Sequence, residues 1–224
     1  MSTTRTRAIV LRRTNYGEAD RVLKLLTPEG QLSAIARGVR REKSKLAGGI
    51  ELFGISDITV RQGKGELGIL TSARLEHFFG GILEDYDRLQ SAYEITSAIS
   101  KASDQVDDSS WFAILEQVYD GHNRPSVPLQ LTQTWFYLRY AELTGYELSL
   151  SRDTMGDTLS PDLRYSYDIS ERGLRPSEQG DIAADHIKFL RLVAAKPLLT
   201  VAQIGGIDAI LPECWLLARQ AAAL

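Results

Sequence analysis

The first third of the chain alternates short apolar segments with turn residues, a pattern that predicts β-strands. Pro28-Glu29-Gly30 should form a tight hairpin turn, and a long glycine-containing loop over 38–49 should separate the third strand from the fourth. Five antiparallel strands with one long loop are typical of a small closed barrel such as an OB-fold, although an SH3-like barrel or an open meander gives a similar pattern. The predicted strands cover residues 7–13, 21–27, 31–37, 53–61 and 66–74.

After Gly80 the apolar residues recur at intervals of three and four, which predicts helices. The third helix is apolar on most of its sides and should lie at the centre of a bundle. Pro128 is expected in its first turn and Gly145 at its C-terminal cap. Pro197 and Pro212 should interrupt the later helices. The predicted helices cover residues 82–99, 110–119, 128–144, 181–195, 201–211 and 213–223.

The change of period predicts an α+β fold with two domains. A five-stranded OB-fold β-barrel should occupy residues 1–80, and an α-helical domain should occupy residues 81–224. Residues 146–180 lack helical periodicity and contain several Gly and Pro residues, so we expect an irregular or hairpin insertion there.

The composition, with 43% hydrophobic and 25% charged residues, is that of a globular protein rather than a disordered or fibrous one. No apolar run approaches the roughly 18 residues of a membrane helix, and charges interrupt the N-terminal segment where a signal peptide would be apolar. We therefore expect a cytoplasmic protein. The only cysteine, Cys214, excludes an intrachain disulfide and any zinc site of several cysteines.

The two predicted domains differ in charge. Residues 1–80 contain 14 basic and 8 acidic side chains, a net charge of +6, whereas residues 81–224 have a net charge of −9. A basic domain joined to an acidic one indicates that the basic part binds a polyanion. The alternative is a solvated loop without a partner. The positive residues cluster at Arg37, Arg40, Arg41, Lys43 and Lys45.

Residues suited to side-chain catalysis are few. The segment 63–68 matches G-x-G-x-x-G, but an extended segment follows it instead of a helix, which favours a hairpin turn over a dinucleotide site. Cys214 lies in an apolar run typical of a packed thiol. Asp107 and Asp108 precede a predicted helix, where Ser109 or Ser110 would act as the cap. The three histidines, at positions 77, 122 and 186, lie far apart in the sequence, which argues against a metal site.

An OB barrel binds single-stranded nucleic acid across one sheet face and its loops, so the cationic cluster is a plausible path for a polyanion. Only four aromatic residues lie in the predicted barrel, so backbone charge should dominate over base stacking. Binding should then be almost independent of sequence and should weaken with salt, by a log–log slope of about −0.7 per phosphate on a single strand. The four aromatic residues are Tyr16, Phe53, Phe78 and Phe79.

Five segments between Tyr16 and Phe79 together resemble the N-terminal signature of the bacterial RecO family of recombination mediators. The order and spacing of these segments hold throughout the predicted barrel, whereas the likeness beyond Gly80 is one of layout. The matching segments are Tyr16-Gly17-Glu18-Ala19-Asp20-Arg21, Leu25-Leu26-Thr27-Pro28-Glu29-Gly30, residues 36–46 with Leu52-Phe53, Gly65-Glu66-Leu67 with Leu70-Thr71-Ser72-Ala73, and Phe78-Phe79.

The resemblance implies a protein without enzymatic activity or a cofactor that works in RecA-dependent repair. Members of this family bind single- and double-stranded DNA, anneal complementary strands coated with single-strand-binding protein, and cooperate with RecR so that RecA can displace that coat. The DNA-binding residues that the resemblance implies here are Arg37, Arg40, Arg41, Lys43 and Lys45, together with Arg21 and Lys24.

The chain departs from many relatives in the insertion, where their four cysteines bind zinc. Residues 148–175 contain no cysteine, with Ser151, Thr154, Met155 and Gly156 near the place of the first pair, so we expect no zinc. Apolar packing should hold the insertion instead, through the alternating residues Leu163, Tyr165, Tyr167 and Ile169.

The resemblance also implies that the helical domain docks the acidic, apolar C-terminal tail of single-strand-binding protein. A basic rim suits such a ligand, although ordinary surface placement is an alternative for each residue. The candidates are Arg124, Arg139, Lys188 and Arg191.

Two functions therefore stay open. The chain is either a DNA-binding mediator that anneals strands and helps to load RecA, or an adaptor recruited through RecR or single-strand-binding protein with little DNA affinity of its own. An enzyme, such as a nucleotide-dependent transferase, is a distant third.

Overall fold

The computed structural model describes residues 2–63, 65 and 67–224, which form two compact units. The first unit covers residues 1–123 and the second covers residues 124–224. The predicted boundary at residue 80 marks the change from strands to helices. The compact unit that contains the barrel extends further, through the first two helices.

The first unit begins with five strands that close into a barrel in the order β1-β2-β3-β5-β4. All neighbours are antiparallel except β3 and β5, which pair in parallel at Ala34–Gly68 and Ile35–Ile69. This strand order and the small size confirm the predicted OB-fold class. The strands are β1 (Ser2–Tyr16), β2 (Asp20–Thr27), β3 (Gly30–Ala36), β4 (Gly54–Gln62) and β5 (Gly68–Phe78).

The barrel interior is filled by alternate residues of each strand, because successive side chains of a strand point to opposite faces. Buried residues such as Val10, Leu23 and Ile58 meet there. Strand β1 is longer than predicted, since residues 2–6 also pair with β4 although they are polar and largely exposed. Only backbone hydrogen bonds to β4 extend the strand at these positions, so the pattern of apolar side chains does not predict the extension.

Two helices, α1 (Tyr86–Ala102) and α2 (Ser110–His122), complete the first unit. The end of α1 contacts the outer face of the β2–β3 hairpin, where Gln31 donates a hydrogen bond to the Ser100 carbonyl at 3.0 Å. Asp108, rather than Ser109 or Ser110, caps α2: its carboxylate accepts the Ser110 N–H at 2.7 Å. The hydrogen bonds from Ser110 hold the pKa of Asp108 below its usual value.

His122, the last residue of α2, is fully buried. Its Nε2 is 2.9 Å from the Ser91 hydroxyl and its Nδ1 is 3.0 Å from the Val118 carbonyl oxygen. Arg88 lies beside it and donates to the carbonyls of Gly121 and His122 at 3.3 and 3.2 Å. Burial, assisted by the charge of Arg88, lowers the pKa of His122 to about 4.

The second unit is built around α3 (Leu129–Leu143), whose residues are buried on nearly every side, as predicted. Gly145 follows this helix with φ of +82°, the left-handed conformation expected of a C-terminal glycine. The other helices of this unit are α4 (Ala184–Ala195), α5 (Leu198–Val201) and α6 (Leu211–Ala222).

The predicted helix over 201–211 is wrong. Helix α5 ends at Val201, and the chain then turns through Gly205 and Gly206, the latter with φ of +75°. Pro212 does not interrupt a helix either. It lies in the first turn of α6, where backbone N–H groups form no hydrogen bond within the helix, so a proline is tolerated.

The insertion of the second unit contains a two-stranded hairpin of β6 (Tyr165–Asp168) and β7 (Gly173–Pro176). The expected packing through four alternating residues is only partly correct. Tyr165 is fully buried and Tyr167 is half-buried, but Leu163 and Ile169 are exposed. Leu174 and Ile182 are buried instead. Leu174 belongs to β7, and Ile182 lies after β7 and pairs with Tyr165.

Among the described residues, no helix is both long and apolar enough to cross a membrane.

Candidate nucleic-acid interface

Strand β3 ends in a tightly turned loop that carries the predicted cationic cluster, and we call residues 37–45 the basic loop. Gly38 takes φ of +63°, a conformation that favours glycine, and its N–H donates to the Asp20 carboxylate at 2.7 Å. The Arg40 N–H donates to the Ala19 carbonyl at 2.9 Å, and the Arg40 guanidinium donates to the Gly17 carbonyl at 3.3 Å. The basic loop is therefore anchored to the β1–β2 turn.

Within the basic loop the backbone makes two successive turns, so its five cations lie within nine compactly folded residues. The Arg41 N–H donates to the Gly38 carbonyl at 3.1 Å, and the Ser44 N–H donates to the Arg41 carbonyl at 3.0 Å. All five cationic side chains are exposed, and within the part of the chain that the structure describes none forms an ion pair. They are Arg37, Arg40, Arg41, Lys43 and Lys45.

Several other cations of the first unit are neutralised by carboxylates. Arg5 pairs with Asp57, which holds the pKa of Asp57 below its usual value. Further pairs are Arg7 with Glu76 at 3.3 Å and with Glu116 at 2.7 Å, and Arg13 with Glu51 at 2.8 Å. The cations of the basic loop, which have no carboxylate partner among the described residues, thus differ from these paired cations of the strands.

The two further candidates on β2 have different surroundings. Arg21 is half-buried at the barrel end and donates to the Asn15 side chain at 3.2 Å. Lys24 points to α1, where its ammonium group is 2.6 Å from the Asp104 carboxylate and 2.8 Å from the Ser100 carbonyl oxygen. Arg21 pairs with Ala36, the residue that precedes the basic loop, whereas Lys24 is paired with Asp104 and contributes little unpaired charge.

Beside Lys24, a cleft of about 420 Å³ lies between β1 and α1. Arg12 and Lys101 line it, over a floor that includes Phe53 and Tyr119. Phe53 adopts φ of +58°, which is strained for a bulky residue, and its ring packs edge-on against Tyr93 and Tyr119 at 4.9 and 5.5 Å. Sequence analysis missed this cleft, because α1 is distant in sequence and no local pattern signals it.

The other sequence motifs lack catalytic geometry. Lys64 and Glu66 of the G-x-G-x-x-G segment lie outside the described residues, but the strands on either side of the segment, β4 and β5, are antiparallel, as a hairpin requires. Cys214 is buried, and this burial raises the pKa of its thiol to about 12. In the described ranges, no three histidine, cysteine or acidic residues form a group suited to a metal ion.

Comparison with known proteins identifies relatives of this barrel. Residues 1–79 match the family model "Recombination protein O N terminal". A relative named DNA repair protein RecO from Rubrobacter xylanophilus is 29% identical over 217 residues, which cover 93% of this chain and 87% of the relative. The chain is thus similar to the RecO family, in its barrel and, at 29% identity, along most of its length.

Two further RecO relatives match over a shorter range. The one from Heliobacterium modesticaldum is 36% identical over 152 residues, and the one from Roseiflexus sp. is 31% identical over 147 residues. These alignments cover 66% and 65% of this chain, but only 55% and 51% of the relatives. The chain thus spans about half the length of these two RecO proteins.

Two of the RecO partner candidates in the second unit meet at one cavity of about 330 Å³. Arg139 donates to three carbonyls at the end of α4 and lies over the Trp135 ring at 5.2 Å, and Arg191 donates to the Leu150 carbonyl at 2.6 Å. Glu142 and Glu147 also line this cavity, which is unfavourable for an acidic peptide. The assignment of Arg139 and Arg191 to a partner stays a prediction.

The remaining partner candidates are separate from that cavity. Lys188 is exposed and pairs with Asp185 at 3.1 Å, and Arg124 is exposed just before α3. Neither Lys188 nor Arg124 lines the cavity, so the four candidates do not form one basic rim.

We expect the substitution Arg139→Gln to lower the free energy of unfolding by about 2 kcal/mol, because charged hydrogen bonds to the last carbonyls of α4 would be lost. Urea denaturation followed by tryptophan fluorescence measures the change. Lys188→Gln, which removes only an exposed ion pair, should cost less than about 0.5 kcal/mol. Equal stabilities of the two variants would contradict a structural role for Arg139.

The zinc site implied for many RecO relatives does not fit this chain. The insertion contains no cysteine, and the single Cys214 is packed in α6. The hairpin is held by buried Tyr165 and Leu174, and the Tyr165 hydroxyl accepts the Ser160 N–H at 2.8 Å. Side-chain packing thus holds the hairpin of the insertion.

Proposed function

We propose that this chain is a DNA-binding recombination mediator whose basic loop holds the phosphate backbone. One observation carries the proposal: five exposed cations in nine residues lack carboxylate partners among the described residues, whereas four cations of the strands, Arg5, Arg7, Arg13 and Lys24, are paired with carboxylates. A cation without an internal partner gains more from a phosphate than one already neutralised. The anchor to the β1–β2 turn keeps this charge at one end of the barrel.

Annealing of complementary strands follows from the same charge. Two single strands repel each other through their phosphates, and a cationic surface that binds both lowers this repulsion and keeps the strands close. No bond is made or broken by the protein, so no enzymatic step or cofactor is needed. We further propose that the chain works in the bacterial cytoplasm with RecR and the single-strand-binding protein tail, which helps RecA to load on coated single strands.

The combined variant Arg40→Ala, Arg41→Ala and Lys43→Ala tests this proposal. Its affinity for a labelled single-stranded oligonucleotide should fall at least about tenfold in fluorescence anisotropy. The slope of log K against log salt should become shallower by about 2, because each lost phosphate contact removes about 0.7. Strand annealing, followed by energy transfer between labelled complementary oligonucleotides, should slow in parallel.

A matched control removes the same charge from the second unit, through Lys188→Ala, Arg175→Ala and Arg219→Ala. These side chains are exposed, and the variant should keep the affinity and the salt slope of the unchanged protein. Equal losses in both variants would show that net charge, and not the basic loop, determines binding. No DNA binding by the unchanged protein would favour the adaptor function instead.

A further inference from the structure

An exposed aromatic ring, Tyr16, lies where the basic loop contacts the β1–β2 turn. Tyr16 is the last residue of β1 and is 60% exposed. The next residue, Gly17, accepts the guanidinium of Arg40 through its carbonyl, and Ala19 accepts the Arg40 N–H. Thus the backbone that carries the ring and the backbone that carries the cations are joined by hydrogen bonds.

The strand register places Tyr16 on the outside of the barrel. Arg13 pairs with the core residue Leu23, so the alternate residues Arg12, Thr14 and Tyr16 lie on the outer face. Tyr16 pairs with Asp20, the residue whose carboxylate holds the Gly38 N–H. An outward ring at this position borders the surface on which the basic loop presents its charge.

The other aromatic residues of the barrel do not occupy such a position. Phe53 and Phe79 are buried, with 3% and 2% exposure. Phe78 is exposed, but it pairs with Gly54 at the last position of β5, whereas the hydrogen bonds that anchor the basic loop go to the β1–β2 turn. Among the described aromatic residues of the barrel, Tyr16 is therefore the one next to the basic loop.

An exposed ring beside unpaired cations can bind both parts of a nucleotide. The cations attract the phosphate, and the flat face of the ring stacks on the base. Bases are available for stacking in a single strand but are already stacked within a duplex. Such a pair of groups consequently favours single strands, whereas phosphate contacts alone do not.

We propose that Tyr16 is a stacking platform for one base of a single strand whose phosphates the basic loop holds. This inference rests on the proposed DNA-binding function and adds a preference for single strands to it. Stacking of one base on an aromatic side chain changes affinity by roughly five- to 150-fold. Because the contact is uncharged, it changes affinity without changing the number of phosphates that are bound.

The test compares Tyr16→Ala with the unchanged protein on three probes of equal length: oligo(dT), the same backbone with abasic sites throughout, and a duplex. Tyr16→Ala should bind oligo(dT) about tenfold more weakly, with an unchanged salt slope. Its affinities for the abasic strand and the duplex should stay the same. Tyr16→Trp should keep or strengthen oligo(dT) binding.

The matched control is Tyr86→Ala, which removes another exposed tyrosine, the first residue of α1, and should change none of these affinities. Equal binding of oligo(dT) by Tyr16→Ala and the unchanged protein would overturn the inference while the proposed function stands. An equal loss on all three probes would also overturn it, since it would indicate damage to the barrel. Failure of the unchanged protein to bind any probe would instead refute the proposed function itself.

Discussion

Acidification from pH 7 to about 4 should lower the free energy of unfolding by about 3 kcal/mol through His122 alone. Burial lowers the pKa of His122 to about 4, whereas an unfolded histidine titrates near 6.5. The unfolded chain therefore binds a proton first as the pH falls. The contribution of His122 is complete above pH 6.5, is lost progressively below it, and levels off below pH 4.

Urea denaturation at several pH values between 7 and 4 measures this loss, and the NMR titration of the His122 imidazole measures the pKa directly. A His122→Gln variant should be less stable at pH 7, but should lose this part of the pH dependence. His77→Gln removes an exposed imidazole and should keep it. Protonation of His122 near pH 6.5 in the folded protein would contradict the prediction, and would indicate that solvent reaches the ring.

The substitution Gly49→Ala should destabilise the barrel by about 3 kcal/mol. A Cβ atom at Gly49 would lie 2.3 Å from the Ala73 carbonyl oxygen and 2.4 Å from its carbon. These are backbone atoms of β5, which is paired with β4, so they cannot move aside as a flexible side chain could. Either the strand or the turn that leads out of the basic loop has to shift.

The neighbouring residue provides the control. A Cβ atom at Gly48 would meet nothing within 4 Å, so Gly48→Ala should change stability by less than about 1 kcal/mol and should favour the folded state by restricting the unfolded chain. Thermal and urea unfolding of both variants measures the two changes in stability. Similar stabilities would show that the turn has more room than the contact with Ala73 implies.

Sequence patterns predicted the elements whose side chains alternate or repeat on one face. The five strands and the central helix α3 belong to this group, because burial on one face or on all faces determines which positions along the chain are apolar. The sequence also predicts the cationic cluster of the basic loop, since the charge of a side chain follows directly from the residue type. It does not predict the anchor of this loop, because the contacts of Gly38 with Asp20 and of Arg40 with Ala19 join the loop to the β1–β2 turn, which no local pattern indicates.

Pairing and orientation explain the remaining differences. Lys24 is basic, as a DNA-binding residue should be, but Asp104, two residues after the end of α1, is its partner. Leu163 and Ile169 alternate like residues of a buried strand, yet the short hairpin leaves them exposed. Arg139 resembles a rim residue, but it binds carbonyls at the end of α4. In each case the deciding contact comes from an element distant in sequence.

The long first strand has a consequence during synthesis of the chain. Strand β1 leaves the ribosome before its partners in β4, which follow only after β2 and β3, from Ile55 opposite Ile9 to Gln62 opposite Ser2. At about 5–20 residues per second, one edge of β1 waits unpaired for roughly 2 to 12 s. Arg5 and Arg7 lie along this edge, and their charges oppose its association with other nascent chains.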